Sequence, residues 1–143
     1  MTTQPEIRLI FHRSLRFTSV ATTQGTCLRP LLPVRLSYNN RAVDVDAIVD
    51  TGADFSTFDR KIAKSLDIPD EQLILDEGTT LEGMVRMWYC PITISFMGRS
   101  YECRAAFINN PKWLPVLRRD TIFSRLQFAF RQSIRQFYLS FTP

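Results

Sequence analysis

The sequence predicts an all-β protein carrying one or two short helices, and three observations predict it. Val43, Val45 and Ala47 alternate with Asp44 and Asp46, the two-residue period of a half-buried strand. Cys90–Phe96 and Ser100–Phe107 form two β-rich runs around Met97-Gly98, the pattern of a hairpin. A helical period shows only briefly, in Phe58, Ile62 and Leu66, before Pro69 ends it. With 143 residues, 45% of them hydrophobic and 11 of them Phe, the chain suits one core that offsets chain entropy without metals or disulfides.

Taken in order, the first six residues read as disordered, Ile7–Phe11 as an opening strand, and the Thr- and Ser-rich stretch Thr18–Gly25 as a loop. Residues 1–26 are thus expected to be an N-terminal extension of strand and loop, and 27–143 the domain. Leu31–Ser37 reads as a strand, Asn39-Asn40 as a turn tolerant of left-handed geometry, and Ala42–Val49 as the returning strand. Ser56 or Thr57 is then expected to cap the short helix. Leu73–Arg86 holds Gly78 and Gly83 among acidic residues and leads into the Met97-Gly98 hairpin. Leu114–Leu117 is a short apolar run, Asp120 is placed to cap a helix of one or two turns to Arg125, and Leu126–Phe130 and Phe137–Phe141 close the chain as strands.

Counting excludes several chemistries. His12 is the single histidine, so a Ser-His or Cys-His nucleophile system would rest on one residue near the N-terminus. The same shortage removes His-containing zinc motifs, and the five glycines show no phosphate-cradling spacing. Asp44 and Asp46 read as solvent-facing, because a calcium loop would need glycine where Val49 stands and glutamate where Phe55 stands. No metal or other cofactor is expected. Cys27, Cys90 and Cys103 are odd in number and lack C-x-x-C spacing, which argues against a disulfide framework. The formal charge is +4, and after Glu102 only Asp120 stands against seven Arg or Lys. Those arginines alternate with apolar residues, so they read as solvated outer faces, and no nucleic-acid partner is expected. Apolar runs fall short of the roughly 20 residues a membrane span needs, and no signal pattern opens the chain. The expectation is therefore a soluble, cytoplasmic protein.

The segment that carries chemistry is Ala47-Ile48-Val49-Asp50-Thr51-Gly52-Ala53-Asp54. Ile48-Val49 sets Asp50 at the end of a buried strand, Gly52 admits a ligand's backbone without a Cβ in the way, and Ala53 keeps the next position small. A carboxylate presented in this way can share a proton with a second one. Two carboxyls about 3 Å apart cannot both ionise cheaply, so one stays protonated while the other activates a water. Asp-Thr-Gly occurs once, and Asp120-Thr121 is followed by Ile122, so the second carboxylate has to come from another copy across a two-fold axis.

This segment, with Leu114-Pro115-Val116-Leu117-Arg118-Arg119-Asp120, resembles the retropepsin-like aspartic proteases, especially short single-domain members outside retroviruses. The resemblance spans roughly Leu31 to Phe141. It implies a closed acid-protease barrel, a homodimer, a peptide or protein substrate and a hydrolytic endopeptidase. It implies that Asp50 is the catalytic acid/base and that Thr51 hydrogen-bonds across the dimer axis. Gly52 would contact substrate backbone and Ala53 line the cleft. Asp54 would accept hydrogen bonds from bound peptide and pair with Arg119, which with Asp120 supports the active-site loop. A flap would lie between about Asp76 and Met87, with Gly83 at its tip. Arg118 departs from the family, which usually has glycine there. The alternative reading is a catalytically inactive dimeric module of the same fold, binding peptides or serving assembly.

Overall fold

The computed structural model describes residues 3–50, 52, 54–80, 83–119 and 123–142. In chain order its first strands are β1 (Arg13–Arg16), β2 (Thr18–Thr22), β3 (Gly25–Arg29), β4 (Leu31–Tyr38), β5 (Arg41–Val49) and β6 (Thr57–Asp59), followed by helix α1 (Arg60–Ser65). The later strands are β7 (Ile74–Thr80), β8 (Gly83–Phe96), β9 (Arg99–Ile108), β10 (Val116–Leu117), β11 (Leu126–Arg131) and β12 (Gln136–Phe141). The all-β expectation holds, and α1 is the one α-helix among the described residues. None of the helices described is long and apolar enough to cross a membrane. The chain divides into two units, Leu31–Ser124, and Met1–Pro30 with Arg125–Pro143.

In the Leu31–Ser124 unit the strands run in the order β4-β5-β10-β6-β9-β8-β7, and β4 also pairs with β8. Six strands therefore follow one another round a ring. Three residue pairs complete it, Arg35 with Ser95, Leu36 with Ile94 and Ser37 with Thr93. The expected closed barrel is thus a ring of strands joined at one short seam. β8 carries β7 along residues 83–89 and β4 along residues 93–95 of the same edge. Pro91, which has no N–H to donate, falls in the gap between them.

Alternation fills the ring. Leu32, Val34 and Leu36 of β4 are buried while Pro33 and Arg35 face water, and Tyr101, Cys103 and Ala105 of β9 are buried between exposed Glu102 and Arg104. The β4–β5 turn places Asn39 at φ 50°, and the β8–β9 turn holds Met97 at φ 49° and Gly98 at φ 77°. Two consecutive left-handed residues match the twist of a two-residue hairpin. Phe58 and Phe107, both fully buried, meet with ring centroids 6.1 Å apart.

The helix departs from expectation at its start. Ser56 and Thr57 do not cap it. Thr57–Asp59 form a buried strand, parallel to β9 and antiparallel to β10, and Asp59 is the cap, its Oδ2 accepting from the Lys61 N–H at 3.2 Å. Asp59 Oδ1 also accepts from the Asn110 N–H at 3.2 Å, which ties the helix start to the loop before β10. The second expected helix begins on residues outside the described ones, and Phe123–Arg125 form a 3-10 turn.

In the other unit a three-stranded sheet runs β1-β12-β11 and a separate hairpin pairs β2 with β3. Phe137 and Leu139 of β12 are fully buried, and Phe137 meets the rings of Phe17 and Phe130 at 6.2 and 6.1 Å. Two expectations are corrected here. Ile7–Phe11 form no strand, and Ile7, Leu9 and Ile10 are largely exposed. Thr18–Gly25 is no loop: the β-branched Thr18, Val20 and Thr22 build β2, and the chain turns back at Gly25, φ 115°. Among the described residues Cys27, Cys90 and Cys103 form no disulfide.

Candidate active site

Asp50 sits where β5 leaves the sheet. Ile48 and Val49 pair in parallel with Val116 and Leu117 of β10, and the Ile48 N–H donates to the Pro115 carbonyl at 2.8 Å. The Asp50 N–H continues the ladder to the Leu117 carbonyl at 3.0 Å. The backbone of Asp50 is therefore fixed by the sheet while its side chain passes into the following turn. There Oδ1 accepts from the Gly52 N–H at 2.9 Å. A Cβ at Gly52 would stand 3.2 Å from that same oxygen, so glycine is what leaves the carboxylate room.

The chain returns through Ser56, a fully buried residue that does not cap a helix. Its Oγ accepts from the Arg118 N–H at 3.1 Å, and its carbonyl accepts from the Ala106 N–H at 2.8 Å. Ser56 thus fastens the far end of the loop to the residue after β10 and to β9. Nothing in local sequence marks it, because its partners lie 62 and 50 residues away.

Asp54 and Arg119 come together, with Arg119 Nη2 donating to Asp54 Oδ1 at 3.0 Å. Both side chains are well exposed, a setting where such pairs contribute little to stability. Thr51, Ala53 and Asp120 lie outside the described residues. Arg118 is half-buried, and its Nε is sequestered from solvent with no hydrogen-bond partner among the described residues. Gly83 opens β8 at φ 119°, opposite Thr80 in the β7–β8 hairpin. That hairpin spans the segment expected as a flap, and Asp76 pairs with Met87 at its stem.

A cluster that sequence reading did not single out lies beside this loop. Phe55 meets Tyr89 of β8 edge to face at 5.5 Å and 73°. The guanidinium of Arg104 lies over the Tyr89 ring at 4.6 Å and 5.9 Å from the Phe55 ring. The three residues are dispersed in sequence: the β8–β9 register sets Arg104 beside Tyr89, and the pairing of β6 with β9 brings Phe55 to them.

A family model described as Aspartyl protease matches residues 33–112, more than half of the chain. The chain belongs to the aspartyl protease family. The match takes in Asp50, Gly52, Asp54 and Gly83 and ends before Arg118 and Arg119. Among solved structures, the EIAV protease complexed with the inhibitor HBY-793 is similar at 25% identity and TM-score 0.47, over 63% of this chain and 81% of that one. A retropepsin-like aspartic protease from Rickettsia conorii aligns over 90% of this chain and 99% of its own, at 14% identity and TM-score 0.59. That second likeness is one of fold. No curated protein matches the sequence. Within the aspartyl protease family, then, this chain has a retropepsin-like fold and carries a single Asp-Thr-Gly segment.

Proposed function

We propose that the protein is an aspartic endopeptidase whose active site forms between two copies of the chain, each contributing Asp50. The observation that carries this reading is an aspartate within the family match, fixed by its backbone to β10 at the end of β5, that occurs in only one Asp-Thr-Gly per chain. One carboxylate accepts a proton from water as the water oxygen bonds to the peptide carbonyl carbon. The other carboxyl, protonated, donates to the carbonyl oxygen. Collapse of the tetrahedral species breaks the C–N bond, and a proton passes to the leaving amine. Gly52 holds Asp50 through its N–H and admits peptide backbone, Ala53 lines the cleft, and Asp54 receives peptide hydrogen bonds. Thr51 joins the two loops across the axis, Arg119 and Asp120 support them, and the β7–β8 hairpin with Gly83 closes over the peptide.

Asp50→Asn keeps the shape of the side chain and removes the proton-transfer group. Cleavage of a diverse peptide library is expected to vanish in this variant while the sedimentation profile of the dimer is unchanged. A second reading, a dimeric peptide-binding or assembly module, is favoured by one feature: Arg118 stands where the retropepsin-like proteases usually have glycine, with a buried Nε that has no partner among the described residues. A folded wild-type dimer that binds peptides yet cuts none from about pH 3 to about pH 7 would establish that second reading instead.

A further inference from the structure

Arg60 and Arg104 are both stacked on aromatic rings, but only one of them is complete. The Arg60 guanidinium lies 4.2 Å from the Trp88 centroid, and its Nη2 is 3.5 Å from Asp70 Oδ1. It therefore uses its face on the ring and its edge on a carboxylate, the two modes a planar guanidinium offers at once. Arg104 uses only its face, over Tyr89, and no Asp or Glu among the described residues forms an ion pair with it. Arg104 is exposed, and Phe55 beside it is 38% exposed, whereas the Tyr89 ring beneath them is buried. The result is an apolar shelf with a pre-oriented cation at its rim. Phe55 directly follows Asp54 on the loop that begins at Asp50, so the shelf adjoins the path assigned above to bound peptide.

We propose that Arg104, held on Tyr89 beside Phe55, is a specificity determinant that selects substrates with an aspartate or glutamate side chain near the scissile bond. The carboxylate takes the free edge of the guanidinium, as Asp70 does at Arg60, and its methylene stem lies against Phe55. Because Tyr89 already holds the guanidinium, little side-chain freedom is lost on binding. The inference rests on the reading of the Asp50 loop as a peptide-binding site, and it extends that reading to the substrate class.

The test is a set of cleavable peptides in which Glu, Gln and Lys are placed in turn at each position on either side of the cut. Wild-type protein should show one position where Glu exceeds Gln by about tenfold in kcat/KM, the scale of one charge-assisted hydrogen bond. In R104Q that ratio should fall to about one, and in R104E the preference should turn toward Lys. A Glu-to-Gln ratio that survives in R104Q, or cleavage with no position that prefers Glu, overturns the proposal. The same peptides are also measured by fluorescence anisotropy. A protein that binds Glu peptides through Arg104 yet cuts none would refute the endopeptidase reading and leave the specificity proposal standing. A protein that cuts all three series equally does the reverse.

Discussion

Asp59 shows how one side chain can serve two elements. Its carboxylate caps α1 through the Lys61 N–H and also receives the Asn110 N–H, and it is 7% exposed. Asp59→Ala should cost about 1–2 kcal/mol, read as a lower urea midpoint, because a cap is lost and a second N–H loses its acceptor. Arg35 and Asp44 are direct cross-strand partners, with Nε to Oδ1 at 2.8 Å and Nη2 to Oδ2 at 3.1 Å. The hydrogen bond from Arg35 is the main cause that holds the Asp44 carboxyl below the usual aspartate range. A carboxyl depressed in the fold stabilises it above the unfolded aspartate value of about 3.9, and that contribution is lost as pH falls through the depressed folded value. Both groups face water, so the effect on stability is small and screened by salt. Carboxyl carbon NMR should show Asp44 titrating at a higher pH in Arg35→Gln than in the wild type. An unchanged midpoint would mean the pair does not persist in solution.

At the scale of elements, the β8–β9 hairpin depends on two consecutive residues with positive φ. Gly98→Ala places a Cβ at φ 77° and should destabilise by about 1–2 kcal/mol, seen as a lower thermal midpoint. A midpoint equal to wild type would show that the turn relaxes into another type. This hairpin was legible from sequence because its signals are local, namely a glycine in the turn and apolar residues on both sides. Strand β6 was not. Phe58, Ile62 and Leu66 keep a helical spacing, yet Phe58 pairs with Phe107 in a parallel ladder and the helix starts two residues later. Spacing alone cannot tell a buried strand running into a helix from one continuous helix. Ile7–Phe11 illustrates the converse. Its composition suits a strand, but strands are made by neighbours, and the ladder to β12 starts only at Arg13.

At the scale of the molecule, the proposed chemistry requires that subunits act in pairs. If each half-site brings one Asp50, then adding excess Asp50→Asn protein to a fixed amount of wild type, with time for subunit exchange, should remove nearly all activity. Mixed dimers hold only one functional carboxylate. Dilution of wild type alone should lower specific activity for the same mass-action reason. Activity that stays proportional to wild-type protein in both experiments would mean that a single chain is sufficient.

The sequence by itself determined the class of fold, the position of Asp50 at the end of a buried strand, and the family of its surrounding motif. Those features are written in neighbouring residues: the two-residue alternation of β5, the small residues after Asp50, and the turn at Met97-Gly98. Tertiary structure decided which distant segments hold the site in place. Ser56 acquires its partners from β9 and the end of β10, Asp59 reaches Asn110, and Phe55, Tyr89 and Arg104 converge from three separate elements. Such contacts depend on strand order and register, which arise when a whole sheet satisfies its backbone hydrogen bonds at once.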